Sequence, residues 1–286
     1  MARARATIAA LEGRRQAVLA CVAETGEMGI DQLAKEFNVS LMTMHRDLNV
    51  LADRALLSKS RGRAAVIPAV TMEISVKVRR QMQVAEKEAI AEAALGELPP
   101  GGAVLMDGST TLFPLARRLD ERGSYTVITN SLAVAHIVAA TERSAVILLG
   151  GDYQGSFDST TGPEVSRALQ RIHADVALMS AVAVTGGRLY HPSQSCAAVK
   201  EAMLDAARRH LLLVDSSKFG RHAPFSHRDV SAYDAVITDR GVPQSEKKAV
   251  RRLGTRLLLV DAGHHRPAAP APPPSEPFPT TSPRRE

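Results

Sequence analysis

Residues 30–51, IDQLAKEFNVSLMTMHRDLNVL, constrain the fold more than any other stretch of the chain. Ile30, Leu33, Ala34 and Phe37 recur at helical spacing and give one apolar face. Ala34 is small enough to let a second helix cross closely. Asn38-Val39-Ser40 breaks the pattern. Ser40 suits an N-cap, because its hydroxyl accepts from an N–H that the helix leaves unpaired. In the helix that follows, Met44, Leu48 and Leu51 fall on one side, and Leu41, Met42, His45, Arg46 and Asn49 on the other. Two short helices around a three-residue turn describe a helix-turn-helix, whose second helix enters the DNA major groove.

The flanks extend that reading. Residues 14–24 are amphipathic, with Val18, Leu19 and Val22 facing inward. Downstream, Leu56-Leu57-Ser58-Lys59-Ser60-Arg61-Gly62-Arg63 starts as a hydrophobic strand and turns basic. Three helices and a basic hairpin make a winged helix. Lys59, Arg61 and Arg63 on the wing, with Arg14, are expected to meet phosphates, which strengthens binding without reading sequence. Ser40, Leu41, Met42, Thr43, His45 and Arg46 form the expected groove-facing set.

Charge does not decide the matter. The chain carries a formal +6, and residues 1–67 hold ten Lys/Arg against seven Asp/Glu. Such an excess permits nucleic-acid binding without establishing it. No run approaches the ~18 apolar residues of a membrane span. The basic start has too short an apolar part for a signal peptide. Cys21 and Cys196 fall in different expected domains without metal-ligand spacing, so a reducing cytoplasm fits and no metal or cofactor is expected.

The chain divides into a basic arm (1–12), the winged helix (13–66), a connector and linker helix (67–98), an α/β domain (99–261) and a disordered Pro-rich tail (262–286). The linker helix is read over residues 73–98, with Val76, Val84, Ile90 and Ala94 buried and Arg79, Arg80, Lys87 and Glu88 in solvent. Beyond it, short apolar runs alternate with helical segments: 103–106, 126–129, 145–149, 176–184, 211–214, 235–238 and 256–260. With Trp absent and aromatics at 3%, their core must be aliphatic. This rhythm predicts a parallel, Rossmann-like sheet covered on both faces.

In such a sheet, ligands sit outside the carboxyl ends of the strands. Polar residues follow those ends here. Asp107-Gly108-Ser109-Thr110-Thr111 offers a tight turn, hydroxyls and free N–H groups suited to an anion. Thr129-Asn130-Ser131 repeats the geometry, Gly150-Gly151 allows close backbone approach, and Lys200 and Lys218 supply charge. Asp107, Asp215, Lys200 and Lys218 would also make an acid/base set for a sugar-phosphate isomerase, but no nucleophile-and-base pairing compels it, so no catalytic residue is assigned. His191, His222 and His227 read as solvated loop residues. Cys196 opens a predicted helix, where a lowered pKa and a redox switch are conceivable, although a plain small residue is the simpler reading.

Taken together, these residues resemble the DeoR family of bacterial sugar-metabolism regulators over 13–261. The resemblance rests on Val39-Ser40, Thr43 and Arg46-Asp47-Leu48, then Asp107-Gly108-Ser109-Thr110-Thr111, Thr129-Asn130-Ser131, Leu149-Gly150-Gly151, Thr161-Gly162-Pro163, Lys200-Glu201-Ala202-Met203 and Asp215-Ser216-Ser217-Lys218-Phe219-Gly220. It implies a winged helix, a sensor related to ribose-5-phosphate isomerase, a phosphorylated sugar or sugar alcohol as effector, repression and a homo-oligomer. It departs at His45, where the family usually has a second arginine, at Gly62-Arg63-Ala64 on the wing, and at 194–199, which lack a carboxylate before Lys200. The expectation is a cytoplasmic, non-enzymatic regulator of operator DNA, and the rival is an isomerase-like enzyme fused to a DNA-binding domain.

Overall fold

The computed structural model describes residues 11, 13–15, 17–19, 21, 22, 25, 27–53, 57–66, 76–141 and 143–263. Apart from residue 11, the basic arm lies outside these residues, as do the extended connector at 67–72 and nearly all of the Pro-rich tail.

The head is built as the apolar pattern requires. Residues described between 11 and 25 are helical, with Val18, Leu19 and Val22 buried. Strand β1 (Glu27–Gly29) leads into α1 (Ile30–Glu36) and α2 (Leu41–Asp53). Asn38 makes the turn between them at φ 48°, a left-handed conformation that asparagine tolerates. Ser40 caps α2, its Oγ accepting from Thr43 N at 3.2 Å. Strands β2 (Leu57–Ser60) and β3 (Arg63–Val66) form an antiparallel hairpin, and β1 adds to β3. Arg61 and Gly62 both have positive φ, the signature of the two-residue hairpin turn whose twist matches its strands.

The linker departs from expectation. Instead of one helix there are two, α3 (Val76–Gln81) and α4 (Val84–Glu97). Gln83, at φ 51°, turns the chain between them. The turn reorients the predicted faces. Val76, Ile90 and Ala94 are buried as expected, but Val84 is 52% exposed. Lys87, read as solvated, is buried, and its Nζ donates to Arg79 O across the turn.

Each of the seven apolar runs supplies a strand of one parallel sheet: β4 (Gly102–Met106), β5 (Tyr125–Thr129), β6 (Ala145–Leu148), β9 (Ala174–Met179), β12 (Ala207–Leu213), β14 (Ala235–Asp239) and β15 (Arg256–Val260). Their order in the sheet is β15-β14-β12-β9-β4-β5-β6. Alternate side chains serve opposite faces. Val104, Met106, Val127, Val176 and Leu178 pack beneath α4, α5 (Phe113–Arg118) and α6 (Leu132–Ala139). Leu105, Ile128, Ala177 and Met179 pack beneath α7 (Pro163–Leu169), α8 (Gln194–Asp205) and α9 (Gln244–Arg252).

The run 176–184 is corrected: the sheet strand stops at Met179, and the chain resumes as β10 (Ala183–Thr185) in a separate antiparallel sheet. That sheet pairs β10 with β11 (Arg188–His191) and β11 with β13 (Phe225–Asp229). Gly186 and Gly187 turn its first hairpin, and a Cβ on Gly187 would come within 2.3 Å of Leu253. A further two-stranded ribbon joins β7 (Asp152–Gln154) to β8 (Ser159–Thr161).

Candidate functional site

Parallel strands end together, so polar residues far apart in sequence converge at the tips of β4, β5, β9 and β12. Asp107, directly after β4, anchors the group. Its carboxylate accepts from Ser109 N at 3.0 Å, from Ser180 N at 2.9 Å and from Lys200 Nζ. Lys200, on α8, also donates to Ser180 O at 3.0 Å. Asp107 and Lys200 therefore neutralise each other and tie the ends of β4 and β9 together. The two residues read as separate ligand contacts form one buried clamp.

Around the clamp lies a cavity of about 760 Å³, open mouth included. Gly108, Ser109, Thr110, Thr111 and Asn130 line it, with Ser159, Ser180, His191, Cys196, Lys218 and Arg221. Arg79 reaches in from α3, and its guanidinium carbon lies 5.9 Å from the Phe157 ring centroid. Among the lining residues, four cations (Arg79, Lys200, Lys218 and Arg221) face one carboxylate, Asp107. Desolvation holds Arg79, Lys218 and Arg221 below their ordinary pKa values, against the opposing pull of Asp107 on the first and Asp215 on the others. Asn130 Nδ2 donates to Thr160 O at 2.7 Å, whereas its Oδ1 is buried without a partner, as is Ser180 Oγ. Buried polar atoms left in that state mark a place where a hydrogen-bonding ligand or water gains most.

Other predicted residues stand behind the cavity wall. Thr129 Oγ1 accepts from Ser131 N at 3.0 Å, and Ser131 Oγ caps α6 by accepting from Val134 N at 3.3 Å. Gly150 is exposed, and Gly151 packs on Thr161 O and Val165, where a Cβ would meet them within 3 Å. None of these four lines the cavity.

The histidine reading is corrected. His191 and His227 are buried, and desolvation, with Lys200 nearby, pushes both down to about 3, so both are neutral. Of the three histidines only His222 is exposed. The idea of an activated Cys196 is corrected too: burial pushes its thiol up, outweighing Ser193, Lys200 and Arg79. Arg79, placed on a solvated helix face by periodicity, belongs to the cavity. Phe157, Ser159 and Arg221 were not anticipated. Ser180 had a signal, since it is the one polar residue within the apolar run 176–184.

In the head, α2 presents Leu41 (47% exposed), Met42 (67% exposed) and Arg46 to solvent, with Thr43 and His45 half-buried at their side. Lys59 Nζ reaches back from the wing to Asn49 Oδ1 at 2.6 Å and His45 Nδ1 at 3.3 Å. Arg61 is exposed at the wing tip. Arg63 pairs with Glu27 at 3.0 Å. Arg14 and Arg15 both donate to Asp47, at 2.7 and 2.9 Å, tying the first helix to α2. To reach phosphates, Arg14 and Arg63 would have to give up these carboxylates.

A wing-bearing helix-turn-helix head carried with a parallel α/β domain is the build of a transcription regulator. Residues 14–69 match the DeoR-like helix-turn-helix domain, and residues 82–240 match the DeoR C terminal sensor domain. The chain is 30% identical to the uncharacterized HTH-type transcriptional regulator YgbI of Escherichia coli K12, over 86% of this chain and 97% of that one. It is 29% identical to the glycerol-3-phosphate regulon repressor of the same organism, over 81% and 92%. Ribose 5-phosphate isomerase A from Neisseria gonorrhoeae superimposes with a TM-score of 0.35 and 14% identity, over 46% of this chain and 52% of that one. The protein belongs to the DeoR family of transcriptional regulators. Among the described residues, no helix is long and apolar enough to cross a membrane.

Proposed function

We propose that the protein represses carbohydrate-metabolism genes in the cytoplasm as a symmetric homo-oligomer, and that a phosphorylated sugar or sugar alcohol in the strand-tip cavity modulates its grip on operator DNA. The observation that carries this reading is the excess of enclosed cations over carboxylates in a cavity that also holds the unpartnered Asn130 Oδ1 and Ser180 Oγ. A phosphate would relieve the desolvation of Lys218 and Arg221, and sugar hydroxyls would satisfy the orphaned oxygens. Ser109, Thr110 and Thr111 would contribute hydroxyl and N–H contacts. Thr129, Ser131, Gly150 and Gly151 would shape the wall behind them. The glycerol-3-phosphate regulon repressor among the relatives supports this class of effector by its name.

On DNA, Leu41, Met42, His45 and Arg46 would approach base edges, with Ser40 and Thr43 at the helix start. Lys59 and Arg61 would hold phosphates, joined by Arg14 and Arg63 if they exchange partners. The cavity acts here as a receptor and not as a catalytic centre.

A thermal-shift screen of phosphorylated sugars tests the reading, because a ligand bound only by the native state raises Tm. A hit whose shift disappears in Ser109→Ala and Lys218→Ala, with DNA binding retained, is the expected result. Equal loss of DNA binding and ligand response in both variants, or no response to any phosphorylated sugar, would overturn it.

A further inference from the structure

One wall of the cavity comes from the segment that precedes the sensor sheet in sequence. Every other lining residue lies at or beyond Asp107, whereas Arg79 sits on α3, between the wing and the sensor sheet. Residues 67–75 alone separate α3 from wing strand β3. Arg79 is held at both ends. Its guanidinium stands over Phe157, and its carbonyl accepts from Lys87 Nζ on α4 and from Thr110 Oγ1 at 3.4 Å. Thr110 belongs to the loop after β4 that lines the same cavity. A charge entering the cavity therefore acts on α3 by two routes, through the Arg79 side chain and through the loop that touches its backbone.

The assigned clamp strengthens this point. Lys200 is held against Asp107. Lys218 has Asp215 at 4.0 Å. Of the four lining cations, Arg79 is the one placed before the sensor sheet in sequence, so its engagement with a ligand would bear on the segment leading to the DNA-binding head. A guanidinium also offers the planar fork that grips a phosphate through two bonds.

We propose that Arg79 binds the anionic group of the effector and that, through it, occupancy of the cavity fixes α3 and so reaches the head. The proposal rests on the anion-receptor reading above. It makes Arg79 a ligand-binding residue with a coupling role, because a ligand changes DNA affinity only if it favours one arrangement of the two parts over another.

Inorganic phosphate is a sufficient probe, with chloride holding ionic strength constant and the full chain used throughout. Phosphate affinity is read from thermal shift, and amide exchange is followed over residues 76–90 and 108–111. In the native sequence, phosphate is expected to raise Tm and to slow exchange in both segments. Arg79→Gln should weaken phosphate binding at least tenfold and remove the slowing at 76–90. Arg79→Lys should restore part of both. Arg167→Gln, a change of equal charge at an exposed site, should behave as the native protein. Phosphate affinity unchanged in Arg79→Gln would overturn the proposal while leaving the receptor reading intact. So would slowing confined to 108–111 in the native protein, a readout that holds even if the variant folds poorly. Absence of any phosphate response in the native protein would overturn both.

Discussion

The recognition helix and the strand-tip cavity hold their cations under opposite conditions. Arg46 on α2 and Arg61 on the wing stand in solvent, whereas Arg79, Lys218 and Arg221 are enclosed, and burial works against each of their charges. An exposed cation gains little from one phosphate, and salt screens it within roughly 10 Å. It gains from many phosphates at once, through released counterions. An enclosed cation meets its partner in a lower dielectric with less screening. The head is thus suited to a long polyanion touched at many points, and the cavity to one small anion held closely.

The comparison is tested most severely at the clamp. Asp107→Ala leaves the Lys200 ammonium buried without its carboxylate and should cost about 3–5 kcal/mol of stability. Asp107→Ala with Lys200→Met should recover most of that in urea denaturation. No recovery would mean that Asp107 stabilises the strand tips by its bonds to Ser109 and Ser180 alone. Next in size is the acid limb. His191 and His227 have folded pKa values near 3, below their unfolded value, so the unfolded chain takes up protons first. Stability should be complete above about pH 6.5 and drain as pH falls toward 3, by up to about 2 kcal/mol per histidine at pH 5. His227→Leu should flatten the Tm-against-pH curve between pH 6.5 and 5, and an unchanged slope would contradict the buried, neutral assignment.

The head should show smaller, separable effects. Arg46→Ala should narrow the gap between operator and random DNA by ~1–3 kcal/mol. Lys59→Ala should weaken binding to all sequences alike and reduce the salt slope by about one. The contacts of Lys59 with Asn49 and His45 sharpen this test, because a change in sequence preference would show that it positions the recognition helix and does not meet phosphate.

The head was legible because its buried and exposed faces lie on one helix, where a period of 3.6 separates Met44, Leu48 and Leu51 from Met42 and Arg46 directly. The seven strands were legible because each contains a short apolar run, as at 211–213 in β12, although the charged start of β12 and the end of β9 at Met179 were not. The cavity was only half so. Gly108, Ser109 and Asn130 sit in turns after strands, where topology alone points to a ligand. Arg79 and His191 depend on what folds over them, and no local period records that. Lys200 and Asp107 were both found, yet their pairing spans 93 residues and is invisible to spacing. The helix over 73–98 failed for a related reason: glutamine carries no turn signal, so the left-handed residue at 83 looked like any other helical position.

That residue has a mechanical consequence. Torque delivered to α3 is not passed along a straight shaft into α4. It meets an elbow at Gln83, braced by the Lys87 ammonium against the carbonyl of Arg79. Loosening that brace would let the elbow flex, so Lys87, which lies outside the cavity lining, helps set the stiffness of the joint between α3 and α4.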